Sequence, residues 1–378
     1  VLTDAWHPGA TARPEADRRL RVVQVVCGTA FAGTEKHVLA LATQLRLLGC
    51  DAEIACPESA GRLRSEALRA AVPLRAPLRL ARGEQPDVVH VHDGRSAIIG
   101  WAVARRAGAA LVRTQHFVRP ASVERTGLSG RLSVGLHRLI NRRLDGYICV
   151  SGAAAQAARA RRDVTRVACT VIPPGVAIPS SPEVESAVAA RSVAPHPVVL
   201  SAGRLEPERR FDVLLDAIPT VLRVIPDCEF LIAGAGSAEA DLKARALSLG
   251  VESSVTWAGW LPDLGPAMAG AHVYVNTWPW EGFGMATAEA MGFALPVIAT
   301  GSGASPELVE DGVSGRLVEP ADAAALATAL IELLTDRDGS AALGLEGRER
   351  AVSRYSLRAT AESTLALYSR IARVQPGS

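Results

Sequence analysis

Glu281 and Glu289 bracket the segment EGFGMATAE, eight residues apart, starting in the loop WPWEGFG and ending in a stretch of helical character. A strand-like apolar run, His272 to Asn276, precedes them, and the helical run Met285 to Gly292 follows the glycine-bearing turn. A helix that starts at the C-terminal edge of a sheet presents unpaired backbone N–H groups and the positive end of its dipole, which suits an anion. Two carboxylates there suit the hydroxyls of a molecule that also carries phosphate, as a sugar nucleotide does. A hydrolytic dyad is a poor fit. Eight residues of continuous helix span about 12 Å, whereas the carboxylates of a retaining glycosidase sit about 5 to 5.5 Å apart. The plainer alternative is a pair of surface carboxylates; the surrounding glycines and aromatics weigh against it.

Other residues fall where they could join the same site. Gly203-Arg204 follows a strand directly, and Arg209-Arg210 stands just before a helix. An arginine at the C-terminal end of a strand can grip phosphate oxygens with its planar fork, although Glu206 or Glu208 could instead hold Arg204 in a salt bridge. Ala32-Gly33-Thr34 lies in the first loop of the chain, where glycine permits close backbone approach to a ligand. His116, in RTQHF, follows a strand and could hydrogen-bond a sugar or support a leaving phosphate, or be a buried histidine satisfied by backbone. His90 and His92 alternate along a strand beside Asp93, without a third placed ligand for a metal. The acidic pair Asp336-Arg337-Asp338 follows a helical run, Ala323 to Leu334, rather than an apolar strand, so it reads as a helix terminus. No metal is expected. Arginines and helix dipoles would neutralise a diphosphate instead.

The elements that must position these residues follow a βαβ rhythm. Strands are expected at Arg21 to Cys27, Asp51 to Cys56, Val88 to His92, Ala110 to Thr114, Gly146 to Val150 and Cys169 to Ile172, with a helix over Glu35 to Leu48. Prolines 173, 174, 179, 182, 195 and 197 then punctuate a weakly patterned stretch, read as a linker. The rhythm restarts with strands at Val198 to Ala202, Glu229 to Ala233, Ser254 to Ala258, His272 to Asn276 and Pro296 to Ala299, and a helix over Phe211 to Leu222. The expected division is a tail (1–20), a Rossmann-like acceptor-side domain (21–178), a linker (179–196), a Rossmann-like nucleotide-sugar domain (197–354), and a crossover helix and tail (355–378). The two α/β domains would face each other across a cleft at their strand C-termini.

Composition bounds the partners. At 378 residues the chain is long enough for two cores. Its net charge of +2 argues for neither nucleic acid nor a strongly acidic partner. The six cysteines form no CxxC pair and fall mostly in apolar runs, as reduced thiols of a cytoplasmic protein would. The first twenty residues contain no apolar signal-like core, and no run of eighteen apolar residues occurs. Of 41 basic residues only Lys36 and Lys243 are lysine, so arginine is the default cation. Ten arginines lie between positions 119 and 166, around an apolar stripe of Leu128, Leu132, Leu136, Leu139 and Ile140. That stretch is either a core-packed helix with a solvated basic face or a basic amphipathic surface for anionic lipid.

Taken together, SAGRLEPERRFDVLLDAI, LIAGAGSAEADL, VTWAGWLPDL, WEGFGMATAEAM, LPVIAT and PELVEDGVSGRLVEP resemble, in order, the donor-binding domain of family 4 retaining glycosyltransferases, which have the two-domain GT-B fold. AGTEKHVLALATQL, DVVHVHD, TQH, CVS and VIPPGV match the first half more loosely. The resemblance implies that Glu289 binds the ribose hydroxyls and Glu281 the donor sugar, and that Arg204 and Arg209 hold the diphosphate. It places the backbone of Gly203 and of Gly282, Phe283, Gly284 and Met285 on the donor, with Gly33 approaching from the opposite domain. Main-chain groups at Trp260 and Leu261 would read the base, and His116 corresponds to the family's cleft histidine. Arg209-Arg210 stands where the family usually has Lys-Gly, so either arginine could be the phosphate ligand. Pro174, Ala294 and Ala304 replace a usual Asn and two usual glycines.

The activity so implied is transfer of a sugar, with retention and without a metal or other cofactor, from a nucleotide-diphosphate sugar to an acceptor hydroxyl on a saccharide, lipid-linked saccharide or secondary metabolite. Attack from the departing diphosphate's side would let its oxygen take the acceptor's proton, leaving the protein to orient and stabilise charge. A sugar-nucleotide 2-epimerase and a non-catalytic sugar-nucleotide-binding protein are the alternatives on this architecture.

Overall fold

The computed structural model describes residues 19–29, 31–77, 85–116, 128–161 and 167–372. They build two parallel sheets. The first joins β1 (Arg21–Val25), β2 (Asp51–Ala55), β3 (Leu74–Arg75), β4 (Val88–Val91), β5 (Ala110–Gln115), β6 (Gly146–Cys149) and β7 (Cys169–Val171) in the order β3-β2-β1-β4-β5-β6-β7. Helices α1 (Gly33–Leu47), α2 (Gly61–Arg69), α3 (Gly94–Ala107), α4 (Leu128–Asn141) and α5 (Gly152–Ala160) lie between the strands. VVHV of β4 and GYIC of β6 are buried at every position, as expected of parallel strands covered on both faces.

After α6 (Ser181–Ser192), the second sheet joins β8 (Val198–Ala202), β9 (Glu229–Ala233), β10 (Val255–Gly259), β11 (Val273–Asn276), β12 (Val297–Thr300) and β13 (Arg316–Val318) in the order β10-β9-β8-β11-β12-β13. Its helices are α7 (Phe211–Val224), α8 (Glu239–Ser248), α9 (Gly265–Gly270), α10 (Met285–Gly292), α11 (Ser305–Leu308), α12 (Ala323–Thr335) and α13 (Arg337–Arg354). Strand order reverses between β1 and β4 in one sheet and between β8 and β11 in the other, and ligands of open α/β sheets bind outside such switch points. The loops that leave β1, β4, β8 and β11 carry Gly33, Asp93, Arg204, Arg209 and Glu281.

The stretch 179–196, expected as a linker, holds α6 and packs against the second domain. Its start is a capping box: the backbone N–H and the hydroxyl of Ser180 both donate to Glu183 Oε2, at 2.7 and 2.6 Å. Near its end Arg191 is buried and donates to the carbonyl oxygens of Ala271 and Phe293 in the second domain. Asp336, first of the acidic pair, accepts from Gly339 N at 3.0 Å and caps α13.

The last helix, α14 (Leu357–Ala372), returns to the first domain. Ala361, Leu367 and Tyr368 join the cluster of Val22, Ile54, Val112 and Ile148, and Thr360 Oγ1 donates to Pro173 O at 2.8 Å. A second bridge joins the domains near the cleft. Glu307 of α11 accepts from Gly152 N and Ala153 N at the start of α5, at 2.8 and 2.7 Å, pairing a carboxylate with the positive end of that helix. Arg62 of α2 lies 3.9 Å over the ring of Trp260, which follows β10. Among the described residues no helix is long and apolar enough to cross a membrane, and all six cysteines are free thiols.

Because α14 completes the first domain's core, Leu367→Ala should cost about 2–5 kcal/mol there rather than in the second domain. Hydrogen exchange should show protection lost in β1, β2 and β5 while β8 and β11 keep theirs.

Candidate functional site

The donor side is assembled around one buried arginine. Arg209 ends a helical turn after β8, and its guanidinium stacks on the indole of Trp278 with 3.6 Å to the ring centroid. Its Nη1 lies 3.7 Å from Glu281 Oε2, and Thr277 Oγ1 donates to its carbonyl at 3.0 Å. Burial pushes Arg209 toward its neutral form and Glu281 likewise; each opposes the shift in the other. At 3.7 Å the pair is an electrostatic contact rather than a short, bidentate hydrogen bond. The buried Nε of Arg209 and Nε1 of Trp278 have no hydrogen-bond partner among the described residues. Buried donors left unpaired are costly, and an anion seated here would satisfy them.

Glu281 is only 7% exposed and rigidly held. Its Oε1 accepts from Gly282 N and its Oε2 from Asn276 Nδ2, at 3.0 and 3.1 Å. Gly303, at φ +61°, packs so closely on the Glu281 backbone that a Cβ would stand 2.7 Å from its N and O atoms. Gly284 takes φ +97° to turn the chain into α10, whose first turn has no side-chain cap. Phe283 is buried edge-on against Tyr355, which fixes the loop before that helix.

Glu289, one turn into α10, is half-buried, and its carboxylate makes no hydrogen bond to the chain among the described residues. Burial raises its pKa, and the charge of Lys36 from α1 opposes that across the cleft. Gly33, at the start of α1, faces Met285, with 3.5 Å from the position of a Cβ to Met285 Sδ. The two domains therefore meet where the sequence places the donor. Lys36 was missed by sequence reasoning; its signal was its rarity, one of two lysines in an arginine-rich chain.

The two adjacent arginines separate cleanly. Arg210 has φ +57°, the left-handed conformation that explains why glycine suits this position. Its guanidinium turns away to Asp212, with Nε and Nη2 each 3.0 Å from a carboxylate oxygen. Asp212 thus holds Arg210, while Arg209 is the arginine that faces Glu281. Arg204 is half exposed and 3.8 Å from Glu208, a loose pair that leaves it movable. Trp260 is exposed, Leu261 packs partly into the core, and Gly203 sits beside Arg209 and Phe211.

On the opposite domain His116 follows β5. Its Nε2 is 3.0 Å from His92 Nδ1, and His37 of α1 lies edge-on to both rings. Burial lowers the pKa of His37 to about 4 and drives His90, His92 and His116 well below the ordinary value, so the cluster is neutral near pH 7. A neutral His116 can hydrogen-bond a sugar but offers no positive charge to a leaving phosphate. Ring nitrogens of His37, His92 and His116 lie within 4.8 Å of one another, a donor set that a transition metal could use, although the 3.0 Å separation is that of a hydrogen bond.

Two facing Rossmann-like domains, each with a parallel sheet, make the GT-B architecture. Residues 31–178 match the family model described as "Glycosyltransferase Family 4", and residues 196–336 match "Glycosyl transferases group 1". Phosphatidyl-myo-inositol mannosyltransferase of Mycobacterium leprae is 29% identical over 93% of this chain and 97% of its own length. The protein of that name from Mycobacterium tuberculosis is 31% identical over 78% of this chain and 76% of its own. Among solved structures, Anabaena HepE in complex with UDP and glucose superposes with a TM-score of 0.80 at 20% identity, covering 93% of this chain and all of that one. The chain belongs to glycosyltransferase family 4 and is a glycosyltransferase of GT-B fold.

The neutral histidines make stability pH-dependent. In the window from 6.5 down to about 4 the unfolded chain binds protons that folded His37 does not, so the melting temperature should fall with pH through it. His37→Gln should flatten that part of the profile, measured by thermal melts in matched buffers.

Proposed function

We propose that this enzyme moves a sugar, with retention and without a metal, from a nucleotide-diphosphate sugar to an acceptor hydroxyl. The observation that carries the reading is Arg209: buried, stacked on Trp278, 3.7 Å from Glu281 and with Nε unpaired. Arg209, the movable Arg204 and the N–H groups at the start of α10 would take the diphosphate and the negative charge that develops as it departs. Glu281, fixed by Asn276 and Gly282, would orient the sugar, and Glu289 would take the ribose hydroxyls in competition with Lys36. The departing phosphate oxygen would accept the acceptor's proton on the same face, so no protein base is required. The acidic pair Asp336 and Asp338 lies at the start of α13 as cap and first turn, which supports charge neutralisation by arginine rather than through these carboxylates.

Several relatives are named for mannosyl transfer to phosphatidylinositol compounds, two of them as GDP-mannose-dependent. A GDP- or UDP-hexose donor and a lipid-linked polyol acceptor are therefore the first to test. The surface for such an acceptor would include α4, where Leu136 and Leu139 are 43% and 53% exposed beside exposed Arg142 and Arg143. Part of the basic stretch 119–166 lies outside the described residues. Anionic liposomes should float the protein at low salt and release it at high salt; no flotation at low salt would refute the lipid contact.

Thermal shift across nucleotide sugars, then product mass with acceptor pools, tests the activity. Arg209→Ala should weaken donor binding by at least about ten-fold, a loss typical of a charge-assisted contact, while Arg210→Gly keeps it. Glu289→Ala should lose donor binding, and Glu281→Gln should bind nucleoside diphosphate yet lose transfer. Near-native turnover in both glutamate variants would overturn these roles. An epimeric sugar nucleotide formed from donor alone would point to the epimerase instead, and binding without turnover to a non-catalytic binder.

A further inference from the structure

The chain crosses between the domains twice, at one place. The first crossing follows β7 and the second precedes α14; there Val176 N donates to Tyr355 O at 2.8 Å, and a Cβ on Gly175 would stand 2.5 Å from Leu357 Cα. Glu307, which bridges to the start of α5, is tied to the same place, because Tyr355 Oη donates to its carbonyl at 3.0 Å. These ties lie at the β6–β7 end of the first sheet.

Arg62 makes its contact at the opposite end. It stands in α2, between β2 and the edge strand β3, and Trp260 directly follows β10, the edge strand of the second sheet. Five strand spacings, about 24 Å, separate β2 from β7. A rotation of the domains about the crossing moves this contact furthest, so it opposes opening with the longest lever.

The setting suits a cation. The guanidinium carbon of Arg62 lies 3.9 Å from the ring centroid of Trp260 and 5.5 Å from that of Phe31, both within range of cation–π attraction. Its buried Nε has no hydrogen-bond partner among the described residues, so the rings rather than a bond to Nε hold it. Phe31 and Leu63, the residue after Arg62, pack in the same core cluster of the first domain. Phe31 also stands two positions before Gly33, the glycine that faces Met285 across the cleft. Arg62 thereby joins the loop after β1 to the loop after β10.

We infer that Arg62 is a positioning residue: stacked on Trp260, it holds the first domain closed so that Gly33 and Lys36 lie over a donor seated on the second domain. The ligand part of this rests on the proposed donor site, and the domain contact does not. On that reading the base and ribose meet Trp260, Leu261 and Glu289 of the second domain, whereas a complete donor reaches both domains. Opening the cleft then reduces affinity for the donor by the fraction that remains closed.

Calorimetric titration of the full chain tests this, with UDP-glucose and GDP-mannose as donors and UMP and GMP as their nucleotide halves. Arg62→Ala should weaken whichever donor binds by about five-fold, as loss of a cation–π contact does, and leave the matching monophosphate within about two-fold. Arg62→Lys keeps a cation and should recover most of the loss. Arg62→Met keeps the stem without the charge and should not; it also replaces the alanine variant if that fails to fold. X-ray scattering from the ligand-free proteins should give Arg62→Ala the larger radius of gyration. Equal weakening of donor and monophosphate would mean that Arg62 only supports Trp260 locally and would overturn the inference, as would unchanged donor affinity or equal radii. If none of the four nucleotides binds the wild-type protein, the donor reading fails and the radii alone decide the contact.

Discussion

Keeping a guanidinium charged in a largely dry place is the constraint around which the donor side of this molecule is arranged. Arg209 gains its compensation from a face, Trp278, and a carboxylate, Glu281, rather than from a set of short hydrogen bonds. That choice leaves its buried Nε without a partner among the described residues and holds the charge in place by stacking. The neighbouring structure serves to keep the two partners still: Asn276 and Gly282 fix the carboxylate, Gly303 presses on its backbone, and Thr277 ties the arginine's carbonyl to the loop after β11. A site that must bind a highly charged group gains from such rigidity, because little reorganisation remains to be done when the ligand arrives.

The opposite wall of the cleft solves a different problem. It carries four histidines, yet burial leaves none of them charged near neutrality. Arg209 stands on one wall and neutral, directional histidines on the other, so the two walls would recognise different parts of a ligand. Lys36, on the histidine side, carries charge toward the carboxylate of Glu289.

The architecture was legible because the strands are mostly apolar runs set in a βαβ rhythm, and a final helix was expected after residue 355. Glu281 and Glu289 were legible from their setting in a glycine turn and a helix. The different settings of Arg209 and Arg210 were not, since they depend on a left-handed backbone at Arg210 that sends its side chain to Asp212. The helix α6 was overlooked although Ser180 and Glu183 stand at capping-box spacing; nearby prolines drew the reading toward a linker, whereas Pro182 sits in the first turn, where proline costs nothing. His90 was correctly placed on a strand, which ends one residue before His92, but its partner Tyr368 lies 278 residues beyond it, a distance at which no local pattern can speak.

The return of α14 also bears on how the molecule is made. Gln24 and Tyr368 are 344 positions apart, and both are buried in the first domain, which is synthesised before the second. That domain lacks one layer of its interior until the last helix has been synthesised. Vectorial folding, in which an N-terminal unit finishes before its successor begins, is thereby inverted: the second domain can close early, and the first must wait for α14.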